Sequence, residues 1–366
     1  MEKAELVIVG CGPAGATAAR EASRAGIACV VLEKDAVVGA KRVCAAGLRP
    51  GFCGEFDLPR GIVHFDTPRL ALFDGNGAEH EIEFGPGHTT TREELDGTMA
   101  SLARAEGADI RTRALFRSVV ADGDGSVVEY ADERCGERKR IKARCVFLVP
   151  GSTARLESTP VRYRAWPAGL MTTLQYRIYL DRPARPIAYE TLEMHYYRAA
   201  GGRHILGWMF PKKDHLAIGL GVIGKMEGAQ LRAELDSLTA RIAARLYADS
   251  PVRGVKTEGH LLYMGAPRPV LARDGIAVGG TAAGLVDATN GEGIYEAAMS
   301  FVGRLKRRVR LISFLEREPR RFGALFEQLA TTPRLPEILY GDARRRTLGD
   351  RAFLYAQLAR FLVSAA

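Results

Sequence analysis

Three glycines, Gly10, Gly12 and Gly15, close a short apolar run, "ELVIV", in the spacing GxGxxG, with Pro13 and Ala14 inside it. The helix pattern "ATAAREASRAG" follows and ends on Gly26, and a second apolar run, "IACVVLEK", comes next. Strand, glycine loop, helix and strand form a βαβ unit, which lets backbone N–H groups and a helix N-terminus approach a pyrophosphate. Glu33 closes the second strand 18 residues beyond Gly15. A carboxylate there can accept hydrogen bonds from adenosine ribose hydroxyls, and with both strands and the helix in place the pattern is specific for a dinucleotide.

A second glycine-dense stretch, "GGTAAGLVDATNGEGIYEAAMS" (279–300), offers small residues against which another part of a ligand can lie. Its "GEGI" can begin a helix whose N-terminus faces a polar ring edge. Two glycine loops this far apart in sequence imply a cofactor as long as FAD.

The elements that position these residues follow from local pattern. "TREELDGTMASLARAEGA" reads as a helix, with Thr91 and Glu94 at capping-box spacing and Leu95, Met99 and Leu102 along one face. "SVVEYADE" and "RIKARCVFLV" read as a hairpin through the turn at Gly136. From Met171 to Val222 the runs "MTTLQYRIYL", "ETLEMHYY", "RHILGWMFP" and "LAIGLGVI" succeed one another with Pro, Gly and Asp between them, which predicts an antiparallel sheet in a second domain beginning near Pro160. "GIAVGG" (275–280) reads as a further strand, and after Ser300 the chain turns basic and helical.

Composition bounds the rest. With 366 residues, 47% hydrophobic and 26% charged, the chain is globular and long enough for two or more domains. A net charge of +9 favours anions such as nucleotides, diphosphates or an acidic membrane face. The arginines are dispersed without aromatic-basic interleaving, so nucleic acid is not expected as a partner. The six cysteines show no zinc-like pair of CxxC spacings and no secretory leader opens the chain, which predicts a cytoplasmic setting without metal. No run reaches the roughly 18 apolar residues of a membrane span.

"GCGPAG", "VCAAGL", "TTTREELD", "GWMFPKKDHLAIGLGV" and "GTAAGLVDATNGEGIYEAA" together resemble the geranylgeranyl reductase family of FAD-dependent enzymes, within the hydroxylase-like flavoprotein superfamily. The resemblance implies an α/β fold: a discontinuous Rossmann-like FAD-binding domain (1–55, 88–160 and 271–305), an antiparallel β-sheet substrate domain (56–87 and 161–270), and a helical C-terminal tail (306–366). It also implies a cofactor site of Gly10, Gly12, Pro13, Ala14, Gly15, Glu33, Lys34, Arg42, Val43, Cys44, Ala45, Arg92, Thr281, Gly291, Gly293 and Ile294. Of these, Arg92 matches an arginine lying against FAD, and Gly291 to Ile294 match the loop by the flavin ring. Cys44 matches a family cysteine near the flavin. Trp208, Phe210 and Pro211 match a YxWxFP signature lining the substrate cavity.

Three positions depart from the family pattern. Leu206 stands where the signature has tyrosine, Thr281 replaces the aspartate of "GDAAG", and Pro150 to Thr153 replace "GADG". A threonine hydroxyl can still bond the ribityl chain, more weakly than a carboxylate.

The implied activity is saturation of carbon–carbon double bonds in a polyprenyl chain carried on a diphosphate, lipid, quinone or chlorophyll-like group. Electrons would come from NAD(P)H or reduced ferredoxin, the latter an electron-donor protein. Cys44 and Trp208 are the candidate catalytic residues, one near the reacting carbon and one as an aromatic wall. Beside these roles, Trp208 can be a core filler and Cys44 an inert thiol or a partner for Cys53. His215, beside Asp214, reads as an exposed turn residue outside any triad, and Tyr295 as a helix-packing residue or a proton donor. A flavin monooxygenase or halogenase is the alternative enzyme; halogenases carry WxWxIP, whose first tryptophan is Leu206 here. A degenerate flavoprotein acting as a binding module is the non-enzymatic alternative. "RLKRRVRLISFLEREPRRF" (304–322) places Lys306, Arg307, Arg308 and Arg310 near apolar residues at helical spacing. That pattern fits either a solvated helix face or peripheral contact with an anionic membrane at the inner face of the cell.

Overall fold

The computed structural model describes residues 1–286 except 41–43, 154–155, 158, 162–168, 200, 225 and 266–267, with isolated positions beyond 286; side chains at 83–86 also fall outside the description. In chain order the elements are β1 (Glu2–Val9), α1 (Pro13–Arg24), β2 (Cys29–Leu32), β3 (Gly47–Leu48), α2 (Phe52–Glu55), β4 (Phe65–Phe73), β5 (Glu79–Thr89), α3 (Arg92–Ala105), β6 (Asp109–Arg111), β7 (Ala114–Asp122), β8 (Gly125–Asp132), β9 (Glu137–Leu148), β10 (Leu170–Leu180), α4 (Ile187–Glu190), β11 (Thr191–Arg198), β12 (His204–Pro211), β13 (Leu216–Ile223), α5 (Gly228–Leu246), β14 (Val252–Tyr263), β15 (Ala272–Arg273) and β16 (Ile276–Val278). They divide into two compact units. The first takes Met1–Arg42, Arg92–Met171 and Leu261–Ile312; the second takes Val43–Thr91, Thr172–His260 and Ser313–Ala366.

The first unit is built on a sheet of order β15-β16-β9-β1-β2-β6, in which β1 runs parallel to both β2 and β9, and β7 and β8 extend it antiparallel beyond β9. Val7, Ile8 and Val9 are all buried, as a central parallel strand covered on both faces requires. Ala16 and Ala19 of α1 have no exposed surface, so the helix sits close on its sheet. The hairpin expected at Gly136 is present, with that glycine at φ +76°, and β7 adds a strand beside it.

The second unit carries a sheet of order β14-β10-β13-β12-β11-β4-β5-β3. The four strands read from Met171 to Val222 appear nearly residue for residue. The expectation of a purely antiparallel sheet is corrected, because β4 pairs parallel to β11, Leu70 with Leu192 and Leu72 with Met194. β4 comes from a chain segment more than a hundred residues upstream, so no hairpin dictates its direction. A helix absent from the sequence reading, α5, packs on one face: Leu231, Leu235, Leu238, Ile242 and Leu246 form its buried stripe against Ile205, Met209, Ile218 and Leu220. The segment is rich in the strong helix formers Ala, Leu and Arg, and burying each such leucine or isoleucine contributes about 1.5–3 kcal/mol, which fixes the helix on this face.

Candidate cofactor and substrate site

β1 delivers the chain into the glycine loop, and α1 begins immediately after it, with Gly12 at the N-cap and Pro13 at the first helical position. Among the described residues no side chain caps this end, and its first turn holds no acidic residue, so the positive end of the helix dipole suits an anion. The glycines have separate duties. Gly10 has φ +100°, and a Cβ there would lie 2.5 Å from the Val149 carbonyl oxygen; a Cβ on Gly15 would collide with the Gly10 carbonyl. These two permit close packing of strand and helix. Among the described residues a Cβ on Gly12 would meet only Arg92 Nη2, at 3.6 Å.

Glu33 stands beside the loop. Its carboxylate accepts the Cys11 N–H at 2.8 Å and the Asp35 N–H at 2.9 Å, which fixes its orientation while leaving further lone pairs for ribose hydroxyls. Lys34 is exposed and paired with Asp35 at 2.7 Å. α3 presents Arg92, whose Nε and Nη2 reach the buried Asp96 at 2.8 and 2.5 Å. The distal loop joins the same place: β16 leads into a 3-10 turn, Gly280–Ala283, and a Cβ on Gly280 would sit 3.4 Å from Ala14 Cβ. Thr281 lies in that turn, half-buried. Ser152, one of the family departures, is buried, and its hydroxyl accepts the Tyr263 N–H at 3.3 Å. Gly10 to Gly15, Glu33, Arg92 and Thr281 are therefore brought together in the first unit. The α1 N-terminus, the Glu33 carboxylate and the Arg92 guanidinium held on Asp96 are chemically of the kinds that suit a pyrophosphate and a ribose.

The second unit gathers another set. Cys44 is half-buried, and its sulfur accepts the Ala46 N–H at 3.4 Å. Lys212, buried at the end of β12, donates from Nζ to the Ala45 oxygen at 2.6 Å and the Ala46 oxygen at 3.3 Å, and Phe210 packs directly over Gly47. Leu206, Trp208 and Phe210 alternate along β12 and share the face opposite α5; Pro211, at the other phase of the pleat, pairs with Leu216 and leaves that set. Trp208 is 8% exposed and lies across β13 over Gly219, with its Nε1–H donating to Gln175 Oε1 at 3.0 Å. The register Trp208↔Gly219↔Gln175 puts the three on neighbouring strands.

One side-chain expectation changes and one open alternative is closed. His215 is 5% exposed, not a solvated turn residue: its ring sits against Tyr179, Nδ1 meets Asp214 at 2.6 Å, and burial drives its pKa down to about 4 against the opposing pull of that carboxylate. Cys44 and Cys53 do not pair; both are free thiols. Arg42, Val43, Gly291, Gly293, Ile294 and Tyr295 lie outside the described residues, as do 304–322 and nearly all of the C-terminal tail. Among the described residues no group of His, Cys, Asp or Glu is placed to hold a metal ion. Sequence reasoning missed Asp96, Gln175, Gly219 and Lys212. The spacing Arg92-x-x-x-Asp96 was the one local signal among them, an i,i+4 ion pair on a helix.

Residues 3–45 match the family described as FAD binding domain. The chain is 26% identical over 314 residues to the chloroplastic geranylgeranyl diphosphate reductase of Nicotiana tabacum, a match taking in 81% of this chain and 64% of that protein. It therefore spans just under two thirds of that relative's length. It is 28% identical over 310 residues to the geranylgeranyl diphosphate reductase of Synechocystis sp., covering 81% and 72%, and 28% identical over 298 residues to digeranylgeranylglycerophospholipid reductase 1 of Methanopyrus kandleri, covering 80% and 77%. Among solved structures, a geranylgeranyl bacteriochlorophyll reductase-like protein of Thermoplasma acidophilum matches with TM-score 0.68 at 21% identity, over 93% of this chain and 92% of that one. A flavin-dependent brominase variant matches with TM-score 0.62 at 15% identity, over 97% and 94%. At these identities the structures establish a shared fold. Residues 3–45 of the chain are thus similar to an FAD-binding domain, and about 80% of its length is similar to the geranylgeranyl reductases.

Proposed function

We propose that this chain is an FAD-dependent oxidoreductase that saturates carbon–carbon double bonds of a geranylgeranyl-type polyprenyl chain. The observation that carries the reading is the uncapped α1 N-terminus at Gly12, flanked by Glu33 and by Arg92 held on Asp96. Bound and reduced, FAD supplies the hydride for one alkene carbon, and the other carbon takes a proton. The chain's own residues bind, orient and exclude water. The glycine loop and α1 take the pyrophosphate, Glu33 the ribose, and Thr281 the ribityl chain in place of an aspartate. An alkene offers no polar atom to grip, so apolar and aromatic surface must fix it. The face of β12 bearing Leu206, Trp208 and Phe210 supplies such a surface, and Cys44 is the candidate nearest the reacting carbon.

The finer parts of the reading rest on chemistry and sequence. The prenyl substrate belongs in or near a bilayer, and among the described residues no helix is long and apolar enough to cross a membrane. Contact with an anionic surface through 304–322 would deliver it. Either NAD(P)H or reduced ferredoxin serves as electron donor. Mass spectrometry of lipids from cells with and without the protein tests the proposal: prenyl chains richer in hydrogen when it is present support it, and identical chain saturation overturns it.

A further inference from the structure

Trp208 is seated by two features on neighbouring strands. On the face opposite α5, β13 contributes Ala217, Gly219 and Gly221 at the positions registered with Phe210, Trp208 and Leu206, so on the β13 side β12's large side chains meet no bulky neighbour, while on the β11 side Met194 stands beside Trp208. The indole fills the space on the β13 side, and a Cβ on Gly219 would fall within 2.5 Å of its Cε2 and 2.7 Å of its Nε1. Beyond β13, Gln175 projects from β10 with 1% exposure, and its Oε1 accepts the indole N–H at 3.0 Å. The ring thus spans three strands with its far edge tied down. A buried indole N–H without an acceptor is costly, so the bond selects one ring orientation among those the space allows.

We propose that Gln175 is a positioning residue: by tying down Trp208 across Gly219 it fixes the aromatic surface against which the prenyl chain lies, and so sets which double bonds are presented for reduction. The inference rests on the function proposed above. A polyprenyl chain has repeated, chemically alike alkenes, and only the shape of the surface can distinguish them. A ring free to swing would present several registers of the chain and yield mixed products.

The test uses the full-length, FAD-loaded protein with geranylgeranyl diphosphate as probe, comparing Gln175→Leu, Trp208→Phe and the double variant. Phenylalanine has no N–H, so a residue acting through that bond loses its influence in the Trp208→Phe background. Gln175→Leu is expected to lower kcat/KM about tenfold or more and to broaden the ratio of partly to fully saturated products, with flavin content retained. In the Trp208→Phe background it should change kcat/KM less than about twofold. An equal effect in both backgrounds, or none in either, overturns the proposal. A second measurement separates this failure from failure of the proposed function. In a Trp166→Phe protein, which keeps Trp208 as the single tryptophan, Gln175→Leu and Gly219→Ala should each shift the emission maximum. If the parent reduces no prenyl substrate, the proposed function fails by itself; an unshifted emission in both variants overturns the positioning role whatever the substrate.

Discussion

Arg92 is locked to Asp96 one helical turn away by hydrogen bonds of 2.8 and 2.5 Å, and the same guanidinium comes within 3.6 Å of the space beside Gly12. Asp96 is buried, so the pair is shielded from solvent and keeps the arginine's planar fork in one plane. Arg92→Lys should therefore not behave as a conservative change. A lysine cannot engage Asp96 at both oxygens and still face the loop, and FAD affinity should fall about tenfold or more, at a charge-assisted bond's worth of about 1.5–3 kcal/mol. Flavin retained after gel filtration, compared with the parent, measures this. Equal retention would remove Arg92 from the cofactor site.

Glu33 has both a local and a ligand role. Its carboxylate already holds the Cys11 and Asp35 N–H groups, so Glu33→Ala loosens the loop as well as deleting the ribose contact. FAD binding should weaken by roughly 1.5–3 kcal/mol. Gly12→Val, which sets a branched side chain at the α1 N-cap, should abolish it. Titration of the apoprotein with FAD reads both; unchanged affinity in the two variants would place the cofactor elsewhere.

His215 predicts a pH dependence of stability. Burial lowers its pKa from an ordinary 6.5 to about 4, so between those values the unfolded chain binds the proton and the folded chain does not. More protons on the unfolded side means stability rises with pH. The contribution is fully present above 6.5 and is lost as pH falls toward 4, on the order of 3 kcal/mol across the window. Chemical denaturation from pH 7 to 4 should show this slope in the parent and a shallower one in His215→Gln. Parallel slopes would mean the imidazole is already charged when folded.

The strands from Met171 to Val222 were legible because each apolar run is short and bounded by Pro, Gly or Asp, and the glycine loop was legible because its neighbours on both sides read clearly. The seat of Trp208 was legible only in part. A four-residue connection, Lys212 to His215, sets the β12–β13 register and so puts Gly219 opposite Trp208. Gln175 is reached through a second pairing, between β10 and β13, whose register no local signal fixes across the more than forty residues from Gln175 to Gly219. The β4–β11 pairing was hidden for the same reason. His215 looked exposed because it follows Lys212, Lys213 and Asp214, yet Tyr179 covers it from another strand. α5 carried its Leu and Ile spacing openly, within a stretch, 223–270, that the sequence reading assigns to the sheet domain as a whole with no helix picked out.

Anaerobic reoxidation tests the central claim most directly. The purified flavoprotein is reduced under argon, mixed with geranylgeranyl diphosphate, and followed by flavin absorbance and by mass spectrometry of the prenyl chain. The account predicts that the oxidised flavin spectrum returns without oxygen, with one H2 gained by the chain for each flavin reoxidised. A flavin that stays reduced until oxygen is admitted, or a protein that binds no flavin, would contradict it.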